Sequence, residues 1–353
     1  MIKKIKPYQS PAGGWGSLVA TTRSVLRSKE PAANIRNLLR ANQVKGFDCP
    51  GCAWGDQPGK HFSFCENGAK AISWEATKKQ VTPTFFKKYS VSWLQNQSDY
   101  FLEYQGRLSQ PMYLNRATDH YEAISWEAAF SLIARHLQAL EHPNQLELYT
   151  SGRASNEAAY LYQLFGRSFG TNNFPDCSNL CHEATSVALA QGIGIGKGTV
   201  TLQDFAQTDA IFIFGQNPGT NHPRMLHSLR NASRNGTAIV SFNNLKERGL
   251  ERFADPQSPV EMLTPLSSRI SSHYFCPRLG GDMAAVRGMV KLLLEWDEQA
   301  LSEGKPGLLD RDFIAAHTHG LAAYQAEVKA TSWEQIVEQS GLSKAEITEA
   351  AKV

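Results

Sequence analysis

The stretch Gly170-Thr171-Asn172-Asn173-Phe174-Pro175-Asp176-Cys177-Ser178-Asn179-Leu180-Cys181-His182 sets a thiol beside an imidazole at the end of a turn rich in Gly, Asn and Pro. A thiolate is a soft metal ligand and a strong nucleophile, and an adjacent histidine accepts or delivers a proton near neutral pH. Cys177, Cys181 and His182 are compatible with metal ligation, with a catalytic thiol and its base, or with two core cysteines one helical turn apart. The adjoining histidine and the polar approach weigh against the core alternative. Spacing leaves the other two open.

A second thiol motif, Cys49-Pro50-Gly51-Cys52, lets two sulfurs grip one metal or cluster because the intervening glycine permits a tight turn. A zinc site needs four ligands, and Asp56, His61 and Cys65 could complete one; an iron–sulfur cluster could draw on the same residues. A redox disulfide is the weaker alternative, since no strand-then-helix pattern surrounds the pair, and two buried structural thiols are the bland one. Cys276-Pro277 reads as a lone core thiol.

These groups need elements to hold them. Residues 1–115 read as an irregular segment rich in Gly, Pro and aromatics, with one helix over 31–44, where Ile35, Leu38 and Leu39 share a face, and another opening at Thr82-Pro83. From residue 116 helices and strands alternate. Ser125 caps a helix with the apolar stripe Phe130, Ile133, Leu137 and Leu140; a strand follows at Leu146 to Tyr149, then a helix carrying Leu161, Leu164 and Phe165. Ser-Trp-Glu recurs at 73, 125 and 332, and each copy is expected to start a helix. The alternation predicts an α/β fold with a parallel sheet.

The clearest unit covers 209–242. Ala210 to Phe214 reads as a buried strand, Gly215 to Pro223 as a loop, Arg224 to Arg234 as a helix and Thr237 to Phe242 as a second strand. Ligands bind outside the carboxyl ends of such strands, where the loop Gly215-Gln216-Asn217-Pro218-Gly219-Thr220-Asn221-His222 would lie. It lacks the GxGxxG fingerprint, so an ordinary strand-to-helix loop is equally compatible, with His222 making a loop hydrogen bond. Gly192 to Gly198 misses the Walker spacing and reads as a flexible loop.

The chain has 353 residues, enough for about two domains, here 1–115 and 116–353. Its 42% apolar and 20% charged composition is that of a globular protein, and a net charge of +3 gives no reason to expect nucleic acid. No apolar run approaches the length of a membrane span, and neither a secretory nor a twin-arginine signal opens the chain. A cytoplasmic location is expected, where six cysteines point to metal binding or catalysis rather than disulfides.

Together these motifs resemble those of the prokaryotic molybdopterin-containing oxidoreductases, in the formate dehydrogenase-like branch with its YdeP-type members. Cys49-Pro50-x-Cys52 matches the first two ligand positions of that family's N-terminal [4Fe-4S] cluster, the third falls at Asp56, and Cys65-Glu66-Asn67-Gly68 resembles the last, with Asn67 where a lysine is usual. Gly170 to Val187 resembles the segment in which Gly-Thr-Asn-Asn precedes a selenocysteine or cysteine and a histidine. Cys181 then takes the place of the molybdenum ligand and His182 that of the proton acceptor, and Cys177 is assigned no role. Gly215, Asn217, Pro218 and His222 fall in a loop similar to the family's site for a guanine dinucleotide arm. Gly280-Gly281-Asp282 resembles a later contact in the same domain, and Asn243-Asn244-Leu245 stands where the family has Asp-Pro-Arg.

The resemblance implies a molybdenum-bis(molybdopterin guanine dinucleotide) oxidoreductase of a small substrate such as formate. Electrons would leave through a [4Fe-4S] cluster to an electron-transfer protein. Because the chain ends on a helical pattern and the family runs to roughly twice this length, it is expected to be the N-terminal part of a longer protein. Two other readings stay open: a Cys181–His182 nucleophilic enzyme with a structural zinc, and a redox-inert regulatory relative.

Overall fold

The computed structural model describes residues 8–52, 54–55, 62–150, 154–175 and 177–353; for 177–181 it describes the backbone alone. Asp56 and His61 lie outside the described residues, as does the side chain of Cys181. Two compact units divide the chain: Met1–Ser24, Arg36–Ala71 and Thr201–Val353 form one, Val25–Ile35 and Ile72–Val200 the other.

The N-terminal part carries more regular structure than its glycines and prolines suggest. Helices α1 (Gly14–Arg27), α2 (Pro31–Arg40) and α3 (Glu66–Glu75) flank the cysteine segment. The predicted helix over 31–44 stops at Arg40 because the chain reverses at Asn42, whose φ of 54° is a left-handed conformation that asparagine tolerates. Leu38 of its apolar face is buried, while Ile35 and Leu39 stay exposed. A short helix α4 (Pro83–Lys88) begins as expected, with proline in its first turn after Thr82.

In the second unit an antiparallel hairpin, β1 (Met112–Asn115) with β2 (His120–Ala123), precedes helices α5 (Trp126–Gln138), α6 (Asn156–Phe169) and α7 (Cys177–Ile193). Ser125 and Ser155 cap α5 and α6 by accepting the N–H groups of Ala128 and Ala158. Ser332 likewise opens a helix, but Ser73 sits buried in the last turn of α3, so one of the three Ser-Trp-Glu copies is no helix start. The apolar stripes expected to face a core do not do so: Phe130 is 61% and Leu161 61% exposed. The strand predicted at Leu146 to Tyr149 is absent. Among the described residues no ladder pairs with it, and Leu148 instead buries its side chain and donates its N–H to the carbonyl of Asn173.

The first unit contains the predicted parallel sheet. Strand β3 (Ala210–Phe214) pairs with β4 (Ala238–Phe242), which pairs with β5 (His273–Phe275); Phe214 lies opposite Phe242, and Phe242 opposite Phe275. Between β3 and β4 the chain passes through α8 (Pro218–Asn221) and α9 (Met225–Arg234), and beyond β4 come α10 (Arg248–Glu251), α11 (Asp282–Ser302), α12 (Trp333–Ser340) and α13 (Lys344–Lys352). Successive side chains of a strand face opposite ways, and β4 uses this fully. Ile239 packs with Leu226 and Leu229 of α9, whereas Val240 and Phe242 pack with Met289, Ile336 and Ile347 of α11, α12 and α13. Strand β3 lies at the sheet edge, so Ile213 is buried but Phe212 and Phe214 are not, a departure from the fully buried strand expected. Cys276, expected in the core, is exposed just past β5.

Candidate functional site

Cys49, Cys52 and Cys65 line one cavity of about 150 Å³ in the first unit. The backbone holds two of the sulfurs: the N–H of Gly51 points at Cys49 Sγ and that of Gly68 at Cys65 Sγ, each at 3.4 Å. Glycine at 68 gives the sulfurs room, for a Cβ there would stand 3.0 Å from Cys49 Sγ, a tight contact, and 3.9 Å from Cys65 Sγ. Behind the cavity, buried Asn42 accepts the N–H of Cys49 at 3.0 Å and donates to the carbonyl of Ser63 at 2.5 Å. One amide thus joins the two cysteine-bearing arms. Burial pushes the Cys65 thiol up to about 11 against the pull of the Gly68 N–H, with Glu66 adding to the rise. Among the described residues no three Cys, His, Asp or Glu side chains close on a point where they could hold a single metal ion.

The same cavity takes in Thr220, Asn221, Pro223 and Arg224. The loop from Gly215 to His222 leaves β3 and is shaped by its own side chains. Asn217 caps α8 by accepting the Thr220 N–H, Pro218 is buried in the first turn, and the N–H of His222 closes onto the carbonyl of Pro218. Asn243, just past β4, donates to the carbonyl of Gln216 at 3.1 Å, so it braces the loop from below. Gly219 and Gly249 bring α8 and α10 backbone to backbone; a Cβ on Gly249 would stand 2.9 Å from Gly219 Cα. Gly281 and Asp282 open α11, where Gly281 packs against the carbonyls of Gln339 and Ser340 and Asp282 suits the positive end of a long helix.

In the second unit the Gly-Thr-Asn-Asn turn has a defined task. Gly170 ends α6 in a left-handed conformation, buried Thr171 donates to Asn144 Oδ1, and Asn173 donates to the carbonyl of Asn144 at 2.9 Å. This pins the turn against 144–148 and delivers the chain into α7, which opens at Cys177 and carries Cys181 one turn in. His182 follows on the same helix and is exposed.

A sequence model described as molybdopterin oxidoreductase matches residues 107–261, the span that contains the Cys181–His182 pair and the Gly215 loop. The chain carries a domain of the molybdopterin oxidoreductase family. Protein YdeP of Escherichia coli (strain K12) is 49% identical over 99% of this chain and 46% of its own length. The uncharacterized oxidoreductase Rv2900c of Mycobacterium tuberculosis (strain ATCC 25618 / H37Rv) is 45% identical over 98% of this chain and 44% of its own. Formate dehydrogenase H of Escherichia coli (strain K12) is a more distant homologue, 27% identical over 70% of this chain and 31% of its own. The chain spans a little under half the length of YdeP and Rv2900c. Among the described residues no helix is long and apolar enough to cross a membrane.

Within this molybdopterin oxidoreductase domain and its N-terminal flank, three contributors escape a reading of motifs. Asn42 and Arg224 lie in no recognisable pattern, and Asn67 registers in the sequence only as a departure from lysine. Arg224 is buried and donates to the carbonyls of Trp54 at 2.7 Å and Gly55 at 2.9 Å; Asn67 donates to the carbonyl of Thr220 at 2.5 Å.

Proposed function

We propose that this chain is the cofactor-bearing part of a cytoplasmic, formate dehydrogenase-like molybdenum oxidoreductase acting on a small substrate, with a molybdenum-bis(molybdopterin guanine dinucleotide) centre, a [4Fe-4S] cluster and an electron-transfer protein as partner. The observation that carries this reading is the convergence of Cys49, Cys52 and Cys65 on one cavity with the end of the Gly215 to His222 loop. Three soft thiols around a cavity of about 150 Å³, two of them receiving backbone N–H groups, fit a sulfur-ligated cluster. The relatives support the same direction, since formate dehydrogenase H is among them.

When bound, the molybdenum centre supplies the two-electron change at the substrate and the cluster supplies one-electron passage. The chain's part is to hold and to orient. Cys49, Cys52 and Cys65 would hold the cluster, with Asp56 as its fourth ligand, and Asn42 keeps the two arms in register. Gly215, Asn217, Pro218 and His222 present the loop to one dinucleotide arm, Asn243 braces it, and Gly281 with Asp282 offers a second contact at the start of α11. Cys181 would be the molybdenum ligand, and exposed His182 next to it in sequence would take the substrate proton at a ring nitrogen and pass it to solvent.

Metal analysis of anaerobically purified protein tests the reading. Wild type is expected to carry both iron and molybdenum, and Cys181→Ala to keep its iron while losing or altering the molybdenum centre. Neither metal in wild type overturns the proposal.

A further inference from the structure

We infer that Asn67 and Arg224 are positioning residues that join the thiol cavity to the Gly215 to His222 loop, so that a group bound at the thiols stiffens the loop and a ligand on the loop stiffens the thiol cavity. The identity of those groups rests on the function proposed above; the coupling itself rests on the protein's own contacts.

Two ties connect the cysteine arms to the strand-to-helix segment, and each reaches across a long stretch of chain. Asn67, two residues past Cys65 and near the start of α3, donates from Nδ2 to the Thr220 carbonyl in α8 at 2.5 Å. Arg224, directly after the loop's closing His222-Pro223, sends its guanidinium back to the carbonyls of Trp54 and Gly55, just past Cys52. Asn67, Thr220 and Arg224 all line the one cavity, and Trp54 and Gly55 follow just past its Cys52 edge. The loop is also braced by Asn243 on the Gln216 carbonyl and by Gly249 against Gly219, so it has little freedom to absorb a movement at Thr220.

A metal group drawing Cys49, Cys52 and Cys65 together fixes the first turn of α3 and the residues after Cys52. Through Asn67 the carbonyl of Thr220, and through the carbonyls of Trp54 and Gly55 the guanidinium of Arg224, are fixed with them. Loop and cavity then order as one, and linkage makes the effect reciprocal. Asn67 is neutral and its amide is committed to this bond, so the position acts here as a tie between the two loops.

Hydrogen exchange read at the amides of 219–222 tests the inference, with the purified chain metal-free, loaded with Zn²⁺ alone, and reconstituted with iron and sulfide. In wild type either loading is expected to slow exchange there by about fivefold, the scale of one hydrogen bond lost or kept. Asn67→Asp keeps the side chain's shape but lacks the donor. It is expected to abolish that slowing while protection around 49–68 still rises, and to speed loop exchange in the metal-free chain. Arg224→Lys, which keeps a donor, is expected to preserve part of the coupling that Arg224→Gln loses. Equal slowing in wild type and Asn67→Asp overturns the coupling, as does loop exchange indifferent to loading in wild type. Uptake of zinc without iron would defeat the cluster assignment and leave the coupling to be judged from the zinc-loaded protein. If neither is taken up, unchanged loop exchange in metal-free Asn67→Asp overturns it.

Discussion

Asn42 shows how much of the thiol cavity depends on a residue outside its lining. Its amide satisfies the N–H of Cys49 and the carbonyl of Ser63 from a left-handed backbone. Asn42→Ala leaves both groups without that partner and puts alanine, which tolerates a left-handed backbone less well than asparagine, at that position, so a loss of about 1–3 kcal/mol in urea unfolding is expected, with lower iron uptake. Asn42→Gly separates the two effects by removing the bonds and relieving the backbone. Cys65 makes a second prediction. Because burial raises its thiol from 9.0 to about 11, the folded chain binds that proton more tightly than the unfolded one. The metal-free fold should therefore lose stability as pH climbs from 9 toward 11, and iodoacetamide should label Cys65 at pH 8 far more slowly than exposed Cys276. Mass spectrometry of the labelled peptides checks this; equal rates would contradict it. The C-x2-C spacing was readable at this scale because two nearby residues share one turn, whereas Asn42 has no local mark.

At the scale of elements, caps and periodicity were good guides and exposure was not. Ser125 and Thr82 mark real helix starts for local reasons: the Ser125 side chain accepts the Ala128 N–H, and after Thr82, whose side chain makes no cap bond, Pro83 presets the first turn. Which face of α5 or α6 meets a core is a property of neighbours, and Phe130 and Leu161 stay on the surface. The stretch 146–149 has the residues of a strand without a strand beside it. The loop after β3 was placed correctly, but its shape depends on a contact that no pattern announces: α8 and α10 meet through Gly219 and Gly249. Gly249→Ala forces a Cβ against backbone that cannot rotate away, and a destabilisation of about 1–3 kcal/mol is expected, read by thermal unfolding. Wild-type stability in that variant would mean the two helices part freely.

For the whole molecule, the first unit combines an apolar layer on each side of β4 with a buried charge network. Arg230 bonds Glu261 through Nε at 3.0 Å and through a terminal nitrogen at 2.8 Å, Arg234 joins the same carboxylate, and Asp255 meets His227 at 3.3 Å and Arg230 at 3.5 Å. Burial alone would raise both carboxyls. For Asp255 the hydrogen bond and charge of His227, and for Glu261 the Asp255 N–H and the arginines, outweigh it and hold both below the ordinary carboxylate range. A depressed carboxylate stabilises the fold fully above its unfolded value and loses that contribution as pH falls through the folded one. Stability should therefore hold from pH 7 to 5 and fall as the pH drops below the ordinary glutamate and aspartate values of 4.5 and 3.8, a trend that urea midpoints across that range would check. Glu261→Gln leaves two arginines facing a neutral amide and should cost about 3–5 kcal/mol.

The sequence by itself determined the local chemistry: a C-x2-C knuckle, the adjacent Cys181 and His182, and the strand, loop, helix and strand of 210–242. Each is written in residues a few positions apart, where turn geometry and side-chain period act directly. Only the tertiary structure decided that Cys65 belongs to the same cavity as Cys49 and Cys52, and that this cavity is shared with the residues closing the β3 loop. Those meetings depend on Asn67 finding Thr220 across a separation of 153 residues and on Arg224 reaching back 170 to Trp54. Contacts of that range are settled by how the core packs, and packing leaves no periodic trace in either partner's own stretch of chain.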